Sequence, residues 1–222
     1  LQQKFNARIF PIGVDTERFK PQDELAIEAL KRSLGLAGRR LIVFGGVVRP
    51  HKGVEVFAEA LARLNRNDCR LLILGPMNEH VQTMMKHPAY GKFIVCPAVQ
   101  AEENLKIHHN MPLYLGLGDV LIVPLADTLL ARSQMPCKVF EAMAMGKAIV
   151  ANSVSDLPQV LEGCGKLVPA DDPDGTARAM GKILDDPSGA RQMGEKARAR
   201  CVSHYGAEAS RRCLLDWMDE LK

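Results

Sequence analysis

Short runs of valine, isoleucine and leucine recur along the chain, separated by stretches in which apolar residues return every three or four positions. The continuous runs are Leu41–Phe44, Leu71–Leu74, Phe93–Cys96, Val120–Val123, Ala148–Ala151 and Lys166–Val168, lengths that suit strands better than helices. Between them, Val54, Phe57, Ala58, Leu61 and Ala62 keep a helical period through Leu64. Val139, Phe140 and Met143 do the same within a helix predicted over 136–145, with Pro136 in its first turn and Gly146 as its stop. Strands apolar at every position, rather than at every second one, belong to parallel sheets covered on both faces. Their alternation with helices therefore predicts an α/β fold with helices on both sides of a parallel sheet. After Val168 the pattern turns helical: Asp171-Asp172-Pro173 opens a helix through Leu184, and Asp186-Pro187-Ser188 opens the next. Gly206 separates a last helix through Leu221, in which Trp217, flanked by Leu214, Leu215 and Met218, is expected to pack on a neighbour.

In such sheets ligands collect beyond the carboxyl ends of the strands. Gly45-Gly46, Gly75-Pro76, Cys96-Pro97 and Pro124 all fall there, so four loops converge on one crevice. Two helix entrances carry candidate chemistry. Lys52 and Gly53 precede the helix from Val54, where a cation and bare backbone can face a diphosphate, and Arg49 shares their loop. The segment 133–150 joins a loop, a helix and a buried strand. Free N–H groups and about half a positive charge at its helix start can hold an anion in front of Cys137 and Lys138. Glu141 lies one turn along, on the face it shares with Lys138. A plain core helix with an exposed Lys138–Glu141 pair, contributing a few tenths of a kcal/mol, fits the same spacing. Lys52 and Arg49 likewise fit ordinary surface charges.

Composition narrows the function classes. With 222 residues, 47% of them hydrophobic, the chain can bury one large core. Its net charge of +3, with no Lys- or Arg-rich block interleaved with aromatics, argues against nucleic acid as a partner. The basic residues near the end alternate with acids and read as a solvated face, with peripheral membrane association of the whole protein as the alternative. Six cysteines without a C-x-x-C pair predict reduced thiols and a cytoplasmic location. Cys137 at a helix start could be a reactive thiol, but no His with an orienting carboxylate accompanies it, so incidental placement is the expectation. His108-His109 lacks the spacing of a metal site and is expected at the surface. No apolar run approaches the roughly 18 residues of a membrane span. No metal and no cofactor are expected.

Met135-Pro136-Cys137-Lys138-Val139-Phe140-Glu141-Ala142-Met143-Ala144-Met145-Gly146 resembles the donor-site signature of glycosyltransferase family 4, also called group 1. The resemblance implies that Glu141 accepts hydrogen bonds from the ribose of a nucleotide-sugar and that the helix start meets the pyrophosphate. Val47-Val-Arg-Pro-His-Lys-Gly-Val54 is similar to a second family loop, in which the Lys and an Arg five residues earlier neutralise the leaving diphosphate. Lys52 matches that Lys. Val47 stands at the Arg position, and Arg49 lies two residues further on. Eight residues before Glu141 many members carry a Glu that contacts the sugar hydroxyls; here it is Ser133. Ile9–Pro21 is similar to the segment that joins the two domains of these enzymes.

The resemblance implies the C-terminal half of a B-type glycosyltransferase fold, a Rossmann-like parallel sheet with helices on both faces. Residues 1–21 would be the interdomain connecting segment and 22–222 the nucleotide-sugar-binding domain with its C-terminal helices. Leu1 in place of Met fits a fragment or processed product whose N-terminal acceptor-binding domain is missing. The implied parent enzyme, of the hexosyl type used in polysaccharide biosynthesis, moves a sugar with retention from a nucleotide-sugar, UDP-linked by expectation, to a saccharide or lipid-linked acceptor. Lys52 and Glu141 carry the catalytic roles. Donor binding adds Gly45, Gly46, Arg49, Gly75, Cys96, Pro97, Ser133, Met135, Cys137 and Lys138. By itself the fragment is expected to be inactive. Val47 and Ser133 leave a second reading, a non-catalytic nucleotide-binding or assembly module. A dinucleotide oxidoreductase fits less well, because Gly45-Gly46-Val47 breaks the Gly-x-Gly-x-x-Gly pattern.

Overall fold

The structure, a computed structural model, describes Phe10 and residues 13–220. Of the expected connecting segment, residues 1–9, 11 and 12 lie outside the described residues, as does Leu221 at the expected end of the last helix. The six strands are β1 (Arg40–Gly45), β2 (Cys69–Leu74), β3 (Ile94–Val95), β4 (Val120–Val123), β5 (Ala148–Asn152) and β6 (Lys166–Val168). All pair in parallel, in the order β3-β2-β1-β4-β5-β6. This is the parallel sheet that the continuous apolar runs predict, in the Rossmann-like arrangement that the resemblance implies.

The helices that position the site are α1 (Glu24–Ser33), α2 (Val54–Leu64), α3 (Glu79–Met85), α4 (Ala101–His109), α5 (Met111–Gly116), α6 (Leu129–Arg132), α7 (Lys138–Ala144) and α8 (Leu157–Val160). They are followed by α9 (Pro173–Asp185), α10 (Pro187–His204) and α11 (Ala207–Glu220). Alternate residues of each strand serve opposite layers. Ile42, Phe44, Leu71, Ile73, Val120, Ile122 and Val150 pack with Phe57 and Leu61 of α2 and Met180 and Ile183 of α9. Leu41, Val43, Leu72, Leu74, Leu121, Val123 and Ile149 pack with Val139, Phe140 and Met143 of α7 and Ala197 and Cys201 of α10. Both faces are thus covered, which is why the strands carry no polar alternation.

β1, β2 and β5 run one or two residues beyond the expected runs, while β3 and α7 are shorter than expected. β3 is confined to Ile94–Val95, and Phe93 falls in a 3-10 turn, Gly91–Phe93. There the Phe93 N–H donates to the Tyr90 carbonyl at 3.0 Å, a turn bond that withdraws it from the edge of the sheet. Helix α7 begins at Lys138 instead of Pro136. The N–H groups of Val139 and Phe140 donate three residues back, to Pro136 (3.0 Å) and Cys137 (3.1 Å), so the entrance is wound more tightly than an α-helix.

The described part of residues 13–21 packs on the C-terminal helices. Val14 pairs with Gly206 in a parallel bridge, its N–H donating to Tyr205 O at 2.9 Å and its carbonyl accepting from Ala207 N at 3.0 Å. Arg198 of α10 donates to the Phe19 carbonyl at 3.1 Å and to the Ala144 carbonyl at the end of α7. Trp217 meets Phe10 edge-on at 5.8 Å, while Leu214, Leu215 and Met218 are exposed.

Candidate functional site

β1 and β4 are neighbours at the point where the strand order reverses, so their carboxyl-end loops diverge and leave a crevice. The loop after β1 forms one wall. Gly45 ends the strand, Gly46 follows it, and its N–H donates to Leu74 O at 3.0 Å. A 3-10 turn, Pro50–Lys52, then delivers Lys52 to the start of α2. Gly53 between them has φ 66°, and a Cβ there would stand 3.3 Å from the Ala126 N–H group's nitrogen. That close approach lets Ala126 N donate to His51 O at 3.1 Å, which fixes the cationic turn against the loop after β4.

The second wall runs from β4 through α6 to the entrance of α7. It is held from below by Asn152, 1% exposed, at the end of β5. Asn152 Oδ1 accepts from Leu125 N at 2.8 Å, and its Nδ2 donates to Pro169 O at 3.1 Å, so one amide ties the loops after β4 and β6. Replacing Asn152 with leucine leaves the Leu125 N–H buried and unbonded, and is expected to cost about 1–3 kcal/mol in a denaturant titration. An unchanged unfolding midpoint would remove Asn152 from this role. Asn78, at the start of α3, performs the equivalent task for the first wall: it donates to Val48 O at 2.9 Å and accepts from Val81 N at 2.9 Å.

The structure brings part of the expected set together. Lys52 Nζ reaches Gln134 Oε1 at 3.5 Å. Burial pushes the Lys52 ammonium below its ordinary 10.5, with Arg49 adding to the depression and Cys137 opposing it, so Arg49, Lys52 and the α7 entrance share one electrostatic environment. His51 is lowered by burial and then by Lys52 and Arg49, and is neutral at pH 7. At the head of α7, Lys138 Nζ donates to both Glu141 oxygens at 2.9 Å. Cys137 is exposed; Met135 is half-buried against the core.

Other expected residues are placed differently. Cys96 is buried, and its thiol donates to Gly75 O at 3.5 Å, so it supports the floor from inside; burial pushes that thiol up. Gly75 is buried under the Gly46 carbonyl. Pro97 is half-buried and its carbonyl accepts from Val99 N at 3.0 Å. Ser133 closes α6 with its hydroxyl donating to Leu130 O at 2.8 Å, and Val47 is 42% exposed. Sequence reasoning passed over Gln134, Asn152 and Asn78. Asn152 and Asn78 had a signal, a polar residue ending an apolar strand and one following Gly75-Pro76; Gln134 had none.

A cavity of about 400 Å³ opens at the opposite, amino end of the strands, bordered by Arg40, Asp119, Lys147 and Arg191. Its inner charges are occupied: Arg40 donates to Asp119 at 2.6 Å and Lys147 to Gly116 O at 2.7 Å. The carboxyl-end crevice, where among the described residues Lys52 has only an amide partner, is the better anion site. Among the described residues no group of three His, Cys, Asp or Glu side chains is placed to hold a metal ion, and no helix is long and apolar enough to cross a membrane.

Comparison with known proteins places this geometry. Residues 38–186 match the family described as glycosyl transferases, group 1. A GDP-mannose-dependent alpha-(1-6)-phosphatidylinositol monomannoside mannosyltransferase of Mycolicibacterium smegmatis is 31% identical over 203 residues, covering 88% of this chain and 51% of that protein. The chain spans about half the length of the curated relatives it matches. Among solved structures, Anabaena HepE in complex with UDP-glucose superposes with a TM-score of 0.79 at 15% identity, over 96% of this chain and 57% of that one. The C-terminal domain of a group 1 family protein, LpcC of Francisella tularensis, does so with a TM-score of 0.70 at 18% identity, over 88% of this chain and 100% of that one. The family match covers both helix entrances of the crevice, and the chain belongs to the group 1 glycosyltransferases.

Proposed function

We propose that the crevice binds the nucleoside diphosphate of a nucleotide-sugar and that the chain is the donor half of a retaining transferase of family 4 type. The observation that carries this reading is the convergence of two helix-entry turns, one bearing Lys52, which has no carboxylate partner among the described residues, and the other bearing Lys138 and Glu141. Lys52 and the α7 entrance face the departing diphosphate and stabilise the charge that builds on it; Arg49 adds to their field. Fixed cations and backbone N–H groups serve well here because they need no reorganisation during the reaction. Glu141 holds the ribose. The name of the mycobacterial relative and the HepE complex support GDP and UDP donors respectively. The acceptor, a saccharide or lipid-linked sugar, is held against the anomeric carbon by a wall that we assign to a further part of the protein, in keeping with relatives about twice as long. The 222-residue chain is accordingly expected to bind the donor without useful turnover. Six unpaired cysteines fit a reducing, cytoplasmic setting.

Calorimetric titration with UDP and GDP tests this reading. One of them should bind with a Kd below the millimolar range, and affinity should change by less than about tenfold in chelator, because the crevice offers cations and helix ends instead of clustered carboxylates. Failure of both nucleotides to bind at millimolar concentration sinks the proposal. A second reading, nucleotide binding without transfer, is favoured by exposed Val47 and by the Ser133 hydroxyl turned to Leu130. Sugar transfer by the whole protein eliminates it.

A further inference from the structure

The carboxylate assigned to the ribose is already occupied in the ligand-free protein. Lys138 Nζ spends two of its three donors on it, one on each Glu141 oxygen at 2.9 Å. Glu141 is the less accessible partner, 16% exposed against 42% for Lys138. Lys138 opens α7, so the pair spans the first turn of that helix at i, i+3 spacing. Arg49 and Cys137, the residue before Lys138, both act on Lys52, while Arg132 is engaged by Asp127 at 2.5 and 2.9 Å. Glu141 is therefore the counter-charge that keeps Lys138 tolerable when the crevice is empty.

A ribose diol brings neutral donors to Glu141 and no charge for Lys138. A pyrophosphate brings charge for Lys138 and nothing for Glu141. Either fragment alone strands one member of the pair, whereas a nucleoside diphosphate supplies both. Resting on the donor-site reading above, we propose that Lys138 is a specificity-determining residue that exchanges partners: it leaves Glu141 for the diphosphate as the ribose hydroxyls take Glu141. The ion pair thereby selects an intact nucleoside diphosphate over its two halves. Such an exchange gives the Lys138 ammonium a phosphate oxygen and leaves the Glu141 carboxylate hydrogen-bonded by the ribose hydroxyls.

The test compares inorganic pyrophosphate, the free nucleoside and the nucleoside diphosphate, by NMR shift titration of the wild-type chain, Lys138→Met, Glu141→Gln and the double variant. UDP or GDP is chosen by which of them the wild type binds. Glu141→Gln releases Lys138 and should tighten pyrophosphate about fivefold or more, a gain that disappears in the Lys138→Met background. Lys138→Met should weaken the diphosphate about tenfold while leaving nucleoside affinity unchanged or higher. Thermal melts confirm that the variants fold. The exchange is wrong if Glu141→Gln gives no gain, if the gain survives in the double variant, or if Lys138→Met weakens nucleoside and diphosphate alike. Wild-type binding of neither UDP nor GDP is a different result, and overturns the donor-site reading together with this one.

Discussion

Substituting Gly75 with alanine is expected to lower the melting temperature by about 5–10 °C and to abolish nucleotide binding at the same time. A Cβ at Gly75 would stand 2.0 Å from the Gly46 carbonyl oxygen and 2.8 Å from its carbon, so the clash is with backbone that has no rotamer to change. The Gly46 N–H donates to Leu74 O, the residue preceding Gly75, so the two loops cannot separate without losing that bond. Relief must come from moving residues 46–52 outward. That movement carries Lys52 with it and breaks the His51–Ala126 bond that holds the cationic turn against the second wall. The loss is thus of stability and of function together, from a residue that touches no ligand. Differential scanning calorimetry and a nucleotide titration on the same preparation check both halves. A variant that melts like the wild type shows that the loop after β1 is free to shift, and removes the account of how Lys52 is held.

The sheet was legible because its strands are buried on both sides and carry an unbroken apolar signal. Val120–Val123 and Lys166–Val168 coincide with the expected runs. β3 was misjudged because an edge strand is decided by backbone bonds: Phe93 is as apolar as its neighbours, yet its N–H goes to Tyr90. The start of α7 was misjudged for a similar reason, since Pro136 is compatible with a first α-turn and with the tighter turn that forms. Lys52, Lys138 and Glu141 could be nominated because helix starts lie beside them and because their segments resemble the family signature, since the spacing alone fits surface charges equally well. Their partners could not all be nominated. Gln134 stands 82 residues from Lys52, and Asn152 stands 27 from Leu125, separations at which a residue's own neighbours say nothing about what it will meet. Ser133, nominated by its place in the family signature, donates its hydroxyl to Leu130 O in the ligand-free protein.

Lys52→Ala is expected to weaken nucleoside diphosphate binding by about 1–3 kcal/mol, roughly fivefold to 150-fold in Kd. The magnitude follows from what Lys52 has in the empty protein. Among the described residues its one polar contact is a 3.5 Å approach to the Gln134 amide, and Arg49 and His51 lie beside it with no carboxylate partner. Its desolvation has been incurred on folding, and only an incoming anion returns the interaction, so little is lost elsewhere when the diphosphate takes it. Arg49 is exposed, and Arg49→Ala should have the smaller effect. The pH dependence separates a direct phosphate contact from a merely structural lysine. The binding form is the ammonium, and burial with Arg49 places its deprotonation below the ordinary 10.5. Affinity should therefore hold through neutral pH and fall as pH rises through that lowered value, earlier than for a solvated lysine. In Lys52→Ala this alkaline fall should be smaller, and Lys52→Arg should defer it to higher pH because a guanidinium keeps its charge. Calorimetry from pH 7 to 10 reads all three proteins. Equal affinities of wild type and Lys52→Ala, or an alkaline fall undiminished in the alanine variant, would assign the diphosphate to a different cation.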